Sequence, residues 1–216
     1  MASTAVPGPR LGSAPVDVVW TALQWQGFEH VMASYDPAGF RADSWMILVS
    51  EAGPARVTYH LSCDSQWQVT ALAIRVFDAA SDRTLMLRHD AAGHWQAEGM
   101  SNSRCAGVTA LPDLRGCTDL DISRSPLTNT LPIRRLGIST PCDIDVVYVS
   151  VPELTVSPVR QRYTRLQSDR PLYRYESGSF STDLPVDADG IVIDYPGVWR
   201  RIVPGHGNAA DPETRL

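Results

Sequence analysis

Short runs of alternating polarity, each ended by a turn signal, are the feature that most limits what this chain can fold into. In residues 57–63, the apolar Val57, Tyr59, Leu61 and Cys63 alternate with polar residues, so they share one face of an extended strand. Turn signals built from Gly, Pro, Asp and Ser recur about every 8 to 12 residues, which is the spacing of barrels, rolls and sandwiches. The sequence therefore predicts a mainly β fold.

The predicted strands cover both halves of the chain and leave a segment of unclear period between them. We expect strands over residues 18–25, 28–35, 40–50, 57–63, 69–77, 84–89, 95–100, 143–151, 160–167, 172–177 and 191–195. Two shorter runs, residues 108–111 and 119–122, are further candidates in the middle of the chain. Tight turns between the successive runs of the first half predict antiparallel pairing there.

The sequence contains one credible helix, which starts near Ser125. Ser125 is a favourable N-cap and Pro126 suits the first helical position, whereas Gly137 provides a stop. Pro132 conflicts with one continuous helix because its ring clashes with an earlier carbonyl, so we expect a kink or a start nearer Thr130. A short, mostly apolar helix among many strands should lie inside the curve of the sheet.

Charge and composition exclude several classes of function. The chain has 216 residues, 44% of them hydrophobic, and a net charge of −5. A general nucleic-acid binder or a protein that adheres to anionic membranes needs excess positive charge, so we predict no nucleic-acid partner. No stretch approaches the roughly 20 apolar residues that span a bilayer, and no secretory signal is visible. We therefore predict a cytoplasmic protein without an integral membrane segment.

Composition also indicates a single domain with polar ends. Residues 1–16 are rich in Pro, Gly, Ala and Ser, and residues 205–216 are polar. We predict a disordered lead and a disordered tail around one domain at residues 17–204. No phosphate loop, dinucleotide fingerprint or complete set of zinc ligands is present, so we predict neither a cofactor nor a metal. The cysteines are irregularly spaced and are predicted to be reduced thiols: Cys63, Cys105, Cys117 and Cys142.

Several motifs, in a fixed order, resemble those of one protein family. The most specific are GCTDLD at residues 116–121 and SPLTNTLPIRRL at residues 125–136. YHLSCD at residues 59–64, QRYT at residues 161–164 and DYPGVW at residues 194–199 accompany them. Over about residues 20–202 the chain is similar to the putative glycolipid-binding proteins.

This resemblance implies both a fold and a class of ligand. The family fold is a spiral β-roll, in which a long antiparallel sheet wraps around a single short central helix. It is similar to the bacterial carriers of lipoproteins and lipids, so it implies binding of an amphipathic ligand such as a glycolipid or an acyl compound, without catalysis. One fold can support many functions, so the function has to be inferred from the residues of the site.

Four aromatic residues are candidate ligand contacts: Trp67, Tyr163, Tyr173 and Tyr175. A lipid carrier needs an apolar cavity with a few polar groups at its mouth, and aromatic side chains can line one. The competing interpretation is that these side chains pack in the core, as buried aromatic residues usually do.

The helical segment supplies the polar candidates: Asp121, Asn129, Arg134 and Arg135. Arginine can hold a phosphate or carboxylate through paired donors, but neighbouring helical residues point about 100° apart, so one group should not engage both. The structural alternative pairs one arginine with Asp119 or Asp121. For Asn129, the structural alternative is a side chain that caps backbone groups beside the proline.

Two further functions remain open from the sequence. One is an interaction module that forms a homodimer through an exposed sheet edge. The other is an enzyme that acts on a small phosphorylated or glycosylated substrate, which requires Asp121 and Arg134 to line one cleft.

Overall fold

Hairpins between consecutive segments build most of the protein. The structure is a computed structural model that describes residues 15–97 and 111–203. In chain order the strands are β1 Val16–Ala22, β2 Gly27–Asp36, β3 Gly39–Ser50, β4 Gly53–Cys63, β5 Val69–Phe77, β6 Asp82–His89, β7 Trp95–Ala97, β8 Cys117–Ile122, β9 Cys142–Val149, β10 Val156–Arg165, β11 Leu172–Ser177, β12 Phe180–Pro185, β13 Asp194–Tyr195 and β14 Trp199–Val203. The helix α1 spans Thr130–Leu136 and lies between β8 and β9.

The strands form two sheets that do not close into a barrel. The larger has nine strands in the order β13-β14-β1-β2-β3-β4-β5-β6-β7, and all of its neighbours are antiparallel. The smaller has five strands in the order β12-β11-β10-β9-β8. Its β8 and β9 are parallel, and α1 is the crossover that a parallel pair requires. The predicted mainly β roll around one short helix is confirmed.

The helical segment resolves the conflict at Pro132 by changing its helix type. Pro126–Asn129 forms a 3₁₀ turn, and the α-helix begins only at Thr130. Pro132 is therefore the third residue of α1, where its missing N–H costs little. Gly137 ends the helix in the left-handed region at φ 50°, as its position in the sequence predicted.

The helical segment packs between the two sheets and contributes to both apolar clusters. Leu127 and Leu131, neither of them exposed, pack in the larger cluster with residues of the nine-stranded sheet. Ile133 packs in the smaller cluster with the inner face of the five-stranded sheet. Burying apolar surface on both sides of so short a helix stabilises it far more than its own hydrogen bonds do.

Strand positions follow the sequence prediction in most of the chain, with two omissions. The strands β12 and β14 were not predicted, since both are short and contain polar residues at several positions. The strand expected over residues 191–195 is reduced to the two residues of β13. Residues 98–100, most of the candidate strand at 108–111, Cys105 and nearly all of the expected terminal segments lie outside the described residues. No helix of the described ranges is long and apolar enough to cross a membrane.

Candidate functional site

A carboxyl group lies inside the core where β2 faces the start of the helical segment. Glu29 is completely buried. Its Oε1 accepts hydrogen bonds from Ser44 Oγ at 2.9 Å and Tyr59 Oη at 2.7 Å, and Ser125 Oγ lies 2.9 and 3.0 Å from its two oxygens. Burial raises the pKa of Glu29 from 4.5 to about 7, although the three hydroxyl groups partly oppose this rise.

A second carboxyl group, Asp121, lies on the inner face of the five-stranded sheet. Its Oδ1 accepts a hydrogen bond from Thr128 Oγ1 at 2.7 Å, and its Oδ2 accepts one from Gln161 Nε2 at 2.6 Å. Burial raises the pKa of Asp121 from 3.8 to about 6, against the effect of these two donors. The network continues through Tyr163, whose hydroxyl donates to Asn129 Oδ1 at 3.0 Å. Three of the predicted site residues therefore belong to one polar network.

Aromatic rings surround this network on its sheet side. Tyr163 and Tyr175 are cross-strand partners with ring centroids 5.3 Å apart. Tyr175, Phe180 and Tyr195 form a trio with centroids 6.1–6.2 Å apart, and Phe180 is 42% exposed. The trio reaches from the buried polar network to the surface of the protein.

A further tyrosine, together with an arginine, marks the same region. Tyr148 is the cross-strand partner of Asp121 in the β8–β9 pair. Burial and the Asp121 carboxylate raise the pKa of Tyr148, whereas the nearby Arg124 guanidinium acts to lower it. The Arg124 guanidinium lies 5.0 Å above the ring of Trp25. We call Asp121, Gln161, Tyr148, Tyr175 and Tyr195 the head-group cluster.

Arg135 forms the structural ion pair with an aspartate that the sequence predicts for one of the two arginines. Its Nε and Nη2 donate to the carboxylate oxygens of Asp119 at 2.9 and 2.5 Å. Asp119 is completely buried, and Thr118 Oγ1 donates a third hydrogen bond to it at 3.0 Å. This bidentate pair fixes α1 to β8, and it places Arg135 outside the head-group cluster.

Arg134, Trp67 and Tyr173 form a separate group. The Arg134 guanidinium lies 5.2 Å above the Trp67 ring, and Trp67 stacks on Phe40 at 4.7 Å. Burial lowers the pKa of Arg134, although Asp189 counteracts this effect. Tyr173 is completely buried in the smaller apolar cluster. For Trp67 and Tyr173, this geometry matches the packing interpretation.

The structure thus brings together Asp121, Asn129, Tyr163 and Tyr175, and it leaves Trp67, Arg134, Arg135 and Tyr173 apart from them. The expected capping role of Asn129 is wrong, because its side chain makes no capping bond to α1 and instead accepts from Tyr163. Within residues 15–97 and 111–203, no group of three metal-ligating side chains converges.

Sequence reasoning missed Glu29, although β2 contained a signal for it. Glu29 is in phase with Val31 and Ala33, which are both buried, while Phe28 and Met32 point outward and are exposed. A carboxylate in the apolar phase of a strand indicates either a satisfied buried charge or a functional group. Gln161 carried the same signal, since it shares a face of β10 with Tyr163.

Two comparisons with known proteins agree with this architecture. The family model described as Putative glycolipid-binding matches residues 17–201. The chain belongs to this family. The fold is also similar to that in a crystal structure of a DUF1089 family protein from Pseudomonas aeruginosa. That structure has a TM-score of 0.68 and 35% sequence identity, over 81% of this chain and 92% of that chain. A search of curated proteins gives no match for this member of the Putative glycolipid-binding family.

Proposed function

We propose that the protein binds an amphipathic ligand, of the glycolipid or acyl type, and holds its polar head group at the head-group cluster. The observation that carries this proposal is the position of Asp121 and Gln161 beside the aromatic trio that extends to the exposed Phe180. Ligand sites combine apolar and aromatic walls with a few fixed polar groups, and this region has that composition.

The chemistry of the cluster suits a sugar-like head group. A carboxylate and a side-chain amide can accept and donate hydrogen bonds to ring hydroxyls. Aromatic faces at Tyr195 and Phe180 can pack against the apolar face of a sugar ring or against the start of an acyl chain. The exposed ring of Phe180, on the edge strand of the smaller sheet, offers the chain of such a ligand an apolar surface.

Binding without catalysis fits this geometry better than the enzyme alternative. That alternative needs Asp121 and Arg134 in one cleft, but Asp121 bonds to Thr128 and Gln161, whereas Arg134 stacks on Trp67. The two candidate groups therefore belong to different clusters.

The test uses alkyl glycosides as probes. Octyl β-glucoside, kept below its micelle concentration, should bind the wild-type protein with a 1:1 stoichiometry in isothermal titration calorimetry. The variant Asp121→Asn should bind it about tenfold more weakly, since it loses a charge-assisted hydrogen bond. Asp145→Asn is the matched control, because Asp145 lies on the opposite face of β9 from Tyr148 and is half-exposed. Equal weakening by both variants, or no binding to the wild type, would refute the proposal.

A second candidate function is self-association through the outer face of the larger sheet. Phe28, Met32 and Trp45 are 44%, 41% and 44% exposed on this face. Arg56 lies toward one end of the strands and Asp43 toward the other, so a copy related by a two-fold axis perpendicular to the strands would bring unlike charges together. Trp45→Gln should shift a dimer toward the monomer in sedimentation velocity, whereas Leu23→Gln, at another exposed apolar residue, should not.

A further inference from the structure

The backbone of Arg124 adopts a conformation that side chains disfavour. Its φ is 63°, in the left-handed region, where glycine is the usual residue. The neighbours on both sides are fixed: Ser123 N donates to Val149 O at 2.9 Å, and Ser125 N donates to Ile122 O at 3.1 Å. An arginine kept in a strained conformation by its surroundings calls for an explanation beyond local folding.

The side chain of Arg124 is held in place by an aromatic stack. Its guanidinium carbon lies 5.0 Å from the centroid of the Trp25 ring. Trp25 in turn packs edge-on against the buried Trp199, with centroids 5.2 Å apart. A guanidinium packed on an aromatic face can still donate the N–H groups of its own plane to an acceptor.

Arg124 differs from other partly buried arginines of the protein in its partners. Arg135 bonds to Asp119, and Arg201 bonds to Asp187 at 2.6 Å. In the described part of the chain, no ion pair joins Arg124 to a carboxylate. Ser123, the residue before it, donates its backbone N–H to Val149 O beside Tyr148, and the Arg124 charge acts to lower the pKa of Tyr148, the cross-strand partner of Asp121. A fixed guanidinium therefore borders the head-group cluster.

We propose that Arg124 binds an anionic substituent of the ligand's head group, such as a carboxylate, phosphate or sulfate. This inference rests on the proposed function and narrows it to acidic amphiphiles. The planar guanidinium provides paired donors that match the oxygens of such a group. The backbone hydrogen bonds of Ser123 and Ser125 hold residue 124 just after the end of β8, next to the head-group cluster.

Two probes that differ only in one substituent, which is charged in one of them, test this assignment. Octyl β-glucuronide carries a carboxylate where octyl β-glucoside carries a hydroxymethyl group, and both are measured by calorimetry below their micelle concentrations. The wild-type protein should bind the glucuronide about tenfold more tightly, as expected for one charge-assisted contact. Arg124→Gln should abolish this preference and leave the affinity for the glucoside nearly unchanged.

Two further variants control for charge and for folding. Arg56→Gln removes another arginine that lies over an aromatic ring, 5.2 Å from the Phe77 centroid, but that is exposed, and it should keep the full preference for the glucuronide. Arg124→Gly suits the positive φ and replaces the glutamine variant if that one folds poorly; it should show the same loss of preference.

Each outcome separates this inference from the proposed function. Equal binding of both probes by the wild type, or an unchanged preference in Arg124→Gln, overturns the role of Arg124 and leaves the proposed function intact. If neither probe binds, the proposed function fails and this inference fails with it. Free glucuronate that binds as tightly as octyl glucuronide supports the anion contact, but shows that the ligand is a soluble acid and not an amphiphile.

Discussion

Ser125 Oγ lies 2.9 and 3.0 Å from the two carboxyl oxygens of Glu29, and so joins the start of the helical segment to the second strand of the large sheet across 96 residues of chain. The residue that the sequence marks as an N-cap makes no side-chain capping bond. Its hydroxyl instead satisfies a buried acid. Thr128, one turn later, holds Asp121 on the other side, so the helical segment links a carboxyl group of each sheet.

The pKa of Glu29 gives stability a definite dependence on pH. Since the folded-state value of about 7 exceeds the ordinary 4.5, the native protein binds this proton more tightly than the unfolded chain does. The stabilisation is complete below about pH 4.5 and is lost as the pH rises through about 7. Glu29→Gln removes this loss. The free energy of unfolding of the variant, relative to that of the wild type, should therefore increase by on the order of 3 kcal/mol between pH 4.5 and pH 8.

Urea unfolding of both proteins at several pH values measures this difference. Comparing the variant with wild type cancels the contribution of Asp121, which both proteins share. Glu51→Gln, in the exposed turn after β3, is the control and should follow the wild type at every pH. A constant difference between Glu29→Gln and wild type from pH 4.5 to pH 8 would contradict the raised pKa.

The Arg135–Asp119 pair should matter far more than an exposed pair of the same geometry. Arg135→Leu leaves the fully buried Asp119 without its cation, which costs about 3 kcal/mol or more. Arg174 also makes a bidentate contact, with Asp183, but these side chains are 46% and 39% exposed. Arg174→Leu should therefore change the urea midpoint little. Similar urea midpoints for Arg135→Leu and Arg174→Leu would show that burial of Asp119 does not determine the loss of stability.

Local pattern was enough to predict most of the larger sheet. The alternation of Val57, Tyr59 and Leu61 with exposed or half-buried residues continues through β4 as predicted. Pattern could not separate the strands into two sheets, because sheet membership depends on contacts between distant segments. The parallel pairing of β8 with β9 follows from how α1 packs, and no local signal encodes it.

The candidate site was harder to predict for a physical reason. The polar residues of the helical segment were predicted as ligand contacts. Arg135 and Asp119 instead satisfy one another, and Arg134 stacks on Trp67. The partners of Asp121 come from residues 128 and 161, and no local pattern shows that these positions meet. A sequence shows which polar residues must be satisfied, but it does not show which partner satisfies each one.

Ligand binding should depend on the ionisation of Asp121. Burial raises its pKa to about 6, so the carboxylate that we propose as the acceptor for head-group hydroxyls is mostly protonated at pH 5. The affinity for octyl β-glucoside should therefore rise about tenfold from pH 5 to pH 7. Asp121→Asn should remove this dependence. An affinity that falls with rising pH would show that the head group needs the protonated acid.

Gly39 should be the least replaceable glycine of the hairpins. Its φ is 134°, and a Cβ atom built there would lie 2.1 Å from the carbonyl oxygen of Cys63, a backbone atom that cannot move aside alone. Gly178 also has a positive φ, of 58°, but a Cβ atom there would meet nothing within 4 Å. Gly178→Ala should cost about 1 kcal/mol for the left-handed backbone. Gly39→Ala must in addition separate β3 from the end of β4, so its urea midpoint should fall well below that of Gly178→Ala. Equal urea midpoints for the two variants would mean that β3 and β4 can move apart at this contact without loss of stability.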